Sequence, residues 1–323
     1  MRNGETHGLL IGPHTSNLLS EIILTVVDKK LYDKGYRYAR NIDDYDCYVN
    51  SHEEAQRFLR DLDALREFDL SLNHKKTKVI ELPVGIEKNW KHQLSDLPKV
   101  GESGMVEYPQ VNTFIDTALM LATDAGDLAI INYAIKKLKK SKLSDNGKKL
   151  AAKRFMHMAA LHPYLLQLME EYVFSPYGVD INDIKAFSDT IYQNATKIND
   201  YESLCYAIYF AIRFDFVLNG FEIDYIAAQD YVIKSKDCLL LTMTWIYFMK
   251  QNHWKRDATQ VKPLNRVAME LKNSDIDRYW LFWYEALSWG SLPSQWRLMK
   301  QAGISFIRKE IVDVTTANST KSN

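Results

Sequence analysis

The sequence predicts an α+β protein, a small mixed N-terminal region followed by an all-helical C-terminal one. Three observations support this. Two aromatic-rich runs with strand character, Tyr36-Arg37-Tyr38-Ala39-Arg40 and Tyr45-Asp46-Cys47-Tyr48-Val49, flank an Asp43-Asp44 pair. Prolines and glycines gather between Pro83 and Pro109. From Val111 onward, apolar residues recur mostly at spacings of three and four, the mark of helices with one buried face. The expected division is a mixed region at 1–83, a linker at 84–110, a helical domain at 111–312 and a disordered polar tail at 313–323.

The first element is a helix opened by Pro13, whose missing N–H and fixed φ suit a first turn. Leu18, Leu19, Ile22, Ile23, Val26 and Val27 would give it one apolar face. Next come the two strands, with the Asp-Asp pair expected in the turn between them. A polar turn around Asn73 follows, then a short strand over Lys78 to Leu82. The helical half is expected to contain Thr113–Ala125, Leu128–Lys140, Asn146–Met158, Pro163–Val173, Ile181–Asn194 and Tyr201–Leu218. It continues with Tyr225–Ser235, Cys238–Gln251, Pro263–Lys272, Arg278–Trp289 and Gln295–Gln301. Asp145-Asn146 and Ser294 offer N-caps. Helices without intervening strands suggest an α-solenoid or an irregular bundle, although no sequence period marks a repeat family.

With 323 residues, of which 46% are hydrophobic, the chain is long enough for a sizeable core and two domains. Its formal net charge is zero, so any nucleic-acid surface must be local. Cys47, Cys205 and Cys238 are far apart and odd in number, which fits a reducing cytoplasm rather than a disulfide framework or a zinc site. The N-terminus lacks the apolar core of a signal peptide. The most apolar later run, Cys238 to Met249, is shorter than the roughly 20 residues that span a bilayer. No membrane association is expected.

Adjacent carboxylates repel, and each disfavours ionisation of the other unless a cation neutralises them. Asp43 and Asp44 therefore read either as a solvated turn or as part of a divalent-metal site. Gly8 and Gly12 let a backbone pass close to a ligand, with Ser16 able to hydrogen-bond it. Asn73, Lys75 and Lys76 read as a basic turn, or as groups facing an anionic substrate.

Three stretches in order resemble consecutive motifs of reverse transcriptases, the RNA-directed DNA polymerases. They are Gly8-Leu9-Leu10-Ile11-Gly12-Pro13-His14-Thr15-Ser16, Asn41-Ile42-Asp43-Asp44-Tyr45 and Leu70-Ser71-Leu72-Asn73-His74-Lys75-Lys76-Thr77. The nearest look is to the bacterial abortive-infection and antiphage group, over residues 4–83. The resemblance implies part of a polymerase palm, with Asp43 and Asp44 as catalytic metal ligands for Mg²⁺ or Mn²⁺. It places Lys76 at the incoming triphosphate, and Gly8, Gly12, Ser16 and Asn73 on the nucleotide and template side. Template, primer and dNTPs would be the partners, and antiviral defence the setting. Two features depart from the family: Asn41 stands where an aromatic residue is usual, and only seven residues precede Gly8. The family's further metal-binding aspartate comes from a strand upstream of that loop. The resemblance therefore implies an incomplete site, inactive alone: either the sequence is cut or starts late within a longer chain, or a homo-oligomer or second polypeptide supplies the missing half. The other reading is a non-catalytic helical scaffold or nucleic-acid-binding module with a relict palm.

Two features of the helical half remain. Lys136, Lys137, Lys139, Lys140, Lys142, Lys148, Lys149, Lys153 and Arg154 form a basic stretch. It suits either a phosphate-tracking groove or solvated helix ends. Trp245, Tyr247, Phe248, Trp254, Tyr279, Trp280, Phe282, Trp283, Tyr284, Trp289 and Trp296 fall at helical spacing. That spacing favours core over base-stacking positions.

Overall fold

The computed structural model describes residues 14–63, 67–68, 70–74, 76–82, 89–101 and 103–307. The chain divides into two compact units, Met1–Ile86 and Glu87–Asn323.

The first unit begins with helix α1 (His14–Asp33), followed by strands β1 (Arg37–Asn41) and β2 (Asp44–Tyr48) and helix α2 (His52–Asp63). β1 and β2 form a two-stranded antiparallel hairpin, with Arg37 opposite Tyr48, Ala39 opposite Asp46 and Asn41 opposite Asp44. A two-residue turn, Ile42-Asp43, joins them, so Asp44 starts β2 instead of sharing the turn with Asp43. Ser51 accepts a hydrogen bond from the Glu54 amide, and the Glu54 carboxylate accepts one from the Asn50 amide. This reciprocal arrangement satisfies two amides at the start of α2.

Val27 and Leu31 of α1 meet Phe58 and Leu62 of α2 in a small core. Tyr36, just before the hairpin, and Tyr38, Tyr45 and Cys47 from its inner face pack against it. The expected apolar face of α1 is corrected by this packing. Leu24, Val27 and Leu31 are buried, whereas Leu18, Leu19, Ile22 and Val26 are exposed. The helix carries two apolar stripes, and the hairpin and α2 select the one containing Val27 and Leu31. The expected strand over Lys78–Leu82 is also corrected. Those residues have no regular structure, and among the described residues the sheet consists of β1 and β2 alone.

The second unit is helical among its described residues. It opens with α3 (Asn89–Ser95), α4 (Tyr108–Ala125), α5 (Ala129–Lys139) and α6 (Asp145–Leu161). The fully buried Leu94 anchors α3 inside the stretch expected to be linker. A 3₁₀ segment (Pro163–Leu168) and a π turn (Glu170–Phe174) stand where a continuous α-helix was expected, followed by the single turn α7 (Ser175–Tyr177). Then come α8 (Ile181–Ile198), α9 (Tyr201–Phe214), α10 (Asn219–Ile223), α11 (Tyr225–Ser235) and α12 (Cys238–Gln251). The unit ends with α13 (Lys262–Ser274), α14 (Trp280–Ala286) and α15 (Ser294–Gln301).

Packing partners follow chain order: α4 touches α5 and α6, α6 touches α8, α8 touches α9, α9 touches α12, and α12 touches α14. Side-chain N-caps punctuate this series. Ser144, Asp180, Asp200, Asp224 and Asp237 each accept an amide hydrogen bond at the start of α6, α8, α9, α11 and α12. Removing such a cap costs about 1 kcal/mol. Ser144 takes the role expected of Asp145-Asn146, and Ser294 is the first residue of α15 rather than its side-chain cap.

Aromatic rings fill the core. Phe174 sits edge-on to Phe187, Phe210 and Phe214, and Phe221 stacks on Tyr247 at 4.9 Å between centroids. Trp245, Phe282, Trp283 and Tyr284 are buried, while Trp289 is exposed. Gly220 lies so close to Tyr192 that a Cβ there would come within 2.3 Å of the ring. Lys250 is buried, its ammonium donating to the Ile212 carbonyl and pairing with Asp215 at 3.0 Å. No helix among the described residues is long and apolar enough to cross a membrane.

Candidate functional site

Period-2 alternation decides what the hairpin offers. Tyr38, Arg40, Tyr45 and Cys47 face inward and are half-buried, while Asn41, Asp44 and Asp46 lie on the exposed face. Asp43 is exposed in the turn. Asp44 therefore shares a face with Asp46, a third carboxylate that the same alternation makes legible in the sequence.

The turn is held from beneath by an ionic cluster. The Arg40 guanidinium forks onto Glu21 of α1, with contacts of 2.8 and 2.9 Å. Its Nε donates to Asp28 at 2.9 Å, and Nη1 also donates to the Ile42 carbonyl at 2.7 Å. Asp28 accepts further hydrogen bonds from the Tyr38 and Tyr45 hydroxyls, at 3.0 and 3.2 Å. Paired planar donors of this kind fix orientation as well as adding energy. The peptide next to Asp43 is thereby tied to α1.

The cluster shifts the titration of its members. The hydrogen bond from Arg40 holds the Glu21 carboxyl below the usual carboxylate range. Glu21 and Asp28 in turn push the Arg40 guanidinium further toward its charged form. Burial and the Asp28 carboxylate push the Tyr38 phenol up to about 12, and burial raises Tyr45 further in the same direction. Tyr36 is likewise pushed up to about 12 by burial and by its hydrogen bond to Asp61.

Ile42 has φ +60°. A β-branched residue in the left-handed region is unusual and costs about 1–2 kcal/mol. Asp43 does not share the positive φ, so the turn has the type II′ pattern, which normally takes Gly at its first central position.

The other predicted residues are less gathered. Ser16 is half-buried on α1, where its carbonyl accepts from the Ser20 hydroxyl. The Asn73 carbonyl accepts from the Lys76 amide at 2.9 Å and the Thr77 amide at 3.0 Å, closing a tight turn that leaves Lys76 exposed. Gly8, Gly12 and Lys75 lie outside the described residues.

The side-chain carboxylates of Asp43 and Asp44 have no hydrogen-bonding or ion-pair partner among the described residues. Their hard oxygens suit Mg²⁺ or Mn²⁺. However, no group of three or more His, Cys, Asp or Glu able to hold a metal ion occurs among the described residues. The pair thus fits part of a donor set. The residues that sequence reasoning missed are Glu21 and Asp28. They lie on a helix far from the motif, and only their contacts with Arg40 give them a role.

A scan against protein-family models and a search of curated proteins found nothing that matches this chain.

Proposed function

We propose that the hairpin is part of the metal-binding site of a nucleotidyl transferase, an RNA-directed DNA polymerase of a bacterial antiviral defence system acting in the cytoplasm. The observation that carries this reading is the pair of exposed carboxylates at a turn fixed by Arg40. In such a site two divalent ions, when bound, activate the attacking hydroxyl and stabilise the leaving group. Asp43 and Asp44 would hold them. Lys76 would neutralise charge on the departing pyrophosphate, and Ser16 and Asn73 would contribute to the nucleotide and template side. Phosphoryl transfer depends chiefly on alignment and charge neutralisation, which a tethered turn serves. The remaining donors come from outside the described residues, either elsewhere in this chain, from a second copy or from another polypeptide.

The test is nucleotide incorporation on a primed template with Mg²⁺ or Mn²⁺, using the chain purified with any polypeptide that accompanies it. Asp43→Ala/Asp44→Ala should abolish incorporation. Undiminished synthesis by that variant would sink the proposal. The second reading, a non-catalytic scaffold with a relict palm, draws on the lack of a three-residue metal cluster among the described residues. It gains if the wild-type preparation binds single-stranded nucleic acid but never extends a primer.

A further inference from the structure

The basic stretch of the helical unit divides once its contacts are known. Lys137 donates to the carbonyls of Leu94 and Ser95, closing the C-terminal end of α3, and burial pushes its amine down. Lys139 pairs with Glu171 at 3.2 Å and lies over the Tyr172 ring, which Lys136 also approaches. Lys148 pairs with Asp145, and Arg154 is held by Asp116 at 2.6 Å and by Asn112 at 2.7 Å. These cations are engaged in the fold. Lys140, Lys142, Lys149 and Lys153 are exposed and have no ion-pair partner among the described residues, but only Lys149 and Lys153 of these line a groove.

The groove measures about 1030 Å³. Lys149, Lys153 and His157 are spaced by four residues along α6, which places them on one face at intervals of about 6 Å. Leu119 of α4 and Leu150 and Met158 of α6 supply an apolar floor. Tyr108, in the first turn of α4, is half exposed and lines the same space. A second, smaller hollow shares Leu119, Met158 and His162 with the first, so the groove continues toward the C-terminal end of α4 at Gly126. Asp116, which could oppose the lysines, is already paired with Arg154.

A row of unpaired cations beside an apolar floor with an aromatic at its edge suits a ligand with two parts, an anionic group and a flat apolar body. A nucleotide unit has both. Its phosphate would lie on Lys149 and Lys153, and its base would lie over Leu119 and Leu150 against Tyr108. Grooves that bind single strands combine these features, with cations tracking the backbone and aromatic faces taking the bases. An acidic peptide would satisfy the lysines but leave the floor and Tyr108 without a matching surface. We propose that the groove between α4 and α6 binds nucleotide units, either free or joined in a single strand. This assignment does not rest on Asp43 and Asp44.

The experiment is fluorescence anisotropy of a labelled oligothymidylate with the full chain, over a salt series. Lys149→Glu/Lys153→Glu should weaken binding about tenfold or more and flatten the salt dependence by about 0.7 per lysine lost. Tyr108→Ala should weaken binding with little change in that slope. Lys136→Glu/Lys140→Glu changes the net charge equally outside the groove and should leave binding near wild type. Tryptophan-monitored unfolding shows whether each variant remains folded. Competition separates the sources: displacement by a free nucleoside triphosphate identifies the nucleotide unit itself, and displacement by unlabelled strand alone identifies a strand. Either supports the proposal. It is overturned if wild type binds neither, if the two charge-reversal variants lose binding equally, or if poly-glutamate displaces the probe as well as a strand does. The binding assay needs neither a divalent ion nor primer extension, so failure here and failure of the polymerase reading are distinguishable.

Discussion

Replacing Asp28 by Asn tests whether the ionic cluster beneath the turn sets the stability of the hairpin. Asn keeps an oxygen for the Tyr38 and Tyr45 hydroxyls but sets an NH₂ group against Arg40 Nε, donor against donor. The lost contact is the 2.9 Å charge-assisted hydrogen bond. Such bonds contribute about 1.5–3 kcal/mol when shielded from water. Arg40 is only 15% exposed and Asp28 26%, so solvent screening is partial. Arg40 also keeps its fork onto Glu21. A loss of about 2 kcal/mol results, equivalent to about 30-fold in the equilibrium for opening the hairpin. All seven tryptophans, from Trp90 to Trp296, lie in the helical unit, so indole fluorescence would miss this change. Amide hydrogen exchange resolved to β1 and β2 is the right measurement. Hairpin amides should exchange about 30-fold faster while those of α9 and α12 stay unchanged. Glu21→Gln removes a half-exposed, solvent-screened partner and should accelerate hairpin exchange far less than Asp28→Asn. Unchanged hairpin exchange in Asp28→Asn, or equal acceleration in α9 and α12, would refute the reasoning.

Two further outcomes follow from the same unit. Ile42→Gly should stabilise the hairpin by about 0.5–1 kcal/mol, since relief of about 1–2 kcal/mol of backbone strain exceeds the added freedom of glycine in the unfolded chain. The Ile42 side chain is 72% exposed and so loses little burial. Ile42→Val keeps the strain and should gain nothing, and slower amide exchange in Val than in Gly would contradict the account. Alkaline pH should loosen the unit. Tyr36 and Tyr38 are raised in the folded state to about 12, above the usual value of about 10. Their contribution is therefore complete below about pH 10 and is lost as pH climbs through about 12. Phenolate absorbance should show a late-titrating fraction that shrinks in Tyr36→Phe and again in Tyr38→Phe, and a late fraction untouched by either change would contradict the assignment.

Much of the helical half was legible because its signals are local. Tyr225–Ser235 and Cys238–Gln251 match their expected limits, each preceded by an aspartate that caps the first turn. The stretch expected as Pro163–Val173 kept its apolar spacing but not its pitch. Spacing of three and four fits 3₁₀, α and π turns alike over so few residues. α14 stops at Ala286, short of the expected Trp289, where the chain turns extended at Leu287. In the first unit the choice between two apolar stripes of α1 depends on Phe58 and Leu62 of another helix, far along the chain. The hairpin turn falls one residue from its expected place because Ile42 takes a backbone conformation that sequence rules reserve for Gly or Asn. The Asp-Asp pair was visible as a motif. The Arg40–Glu21–Asp28 support was not, because ion pairs between distant residues leave no periodic trace.

The π turn at Glu170–Phe174 fixes rotational phase. A π ring closes over one more residue than an α ring, so the residues that follow it up to the break at Gly178 are rotated by about 100° relative to an uninterrupted helix. Phe174 lies at the end of this turn, where its ring meets Phe187, Phe210 and Phe214. Deleting one residue within 170–174 would restore ordinary pitch and swing Phe174 away from all three rings. The segment is therefore tolerant of changes in side chain at its exposed Glu171 but intolerant of changes in length. The number of residues in this turn decides whether Phe174 reaches those rings, while Glu170 in the same turn accepts from Tyr209 and Arg213 of α9.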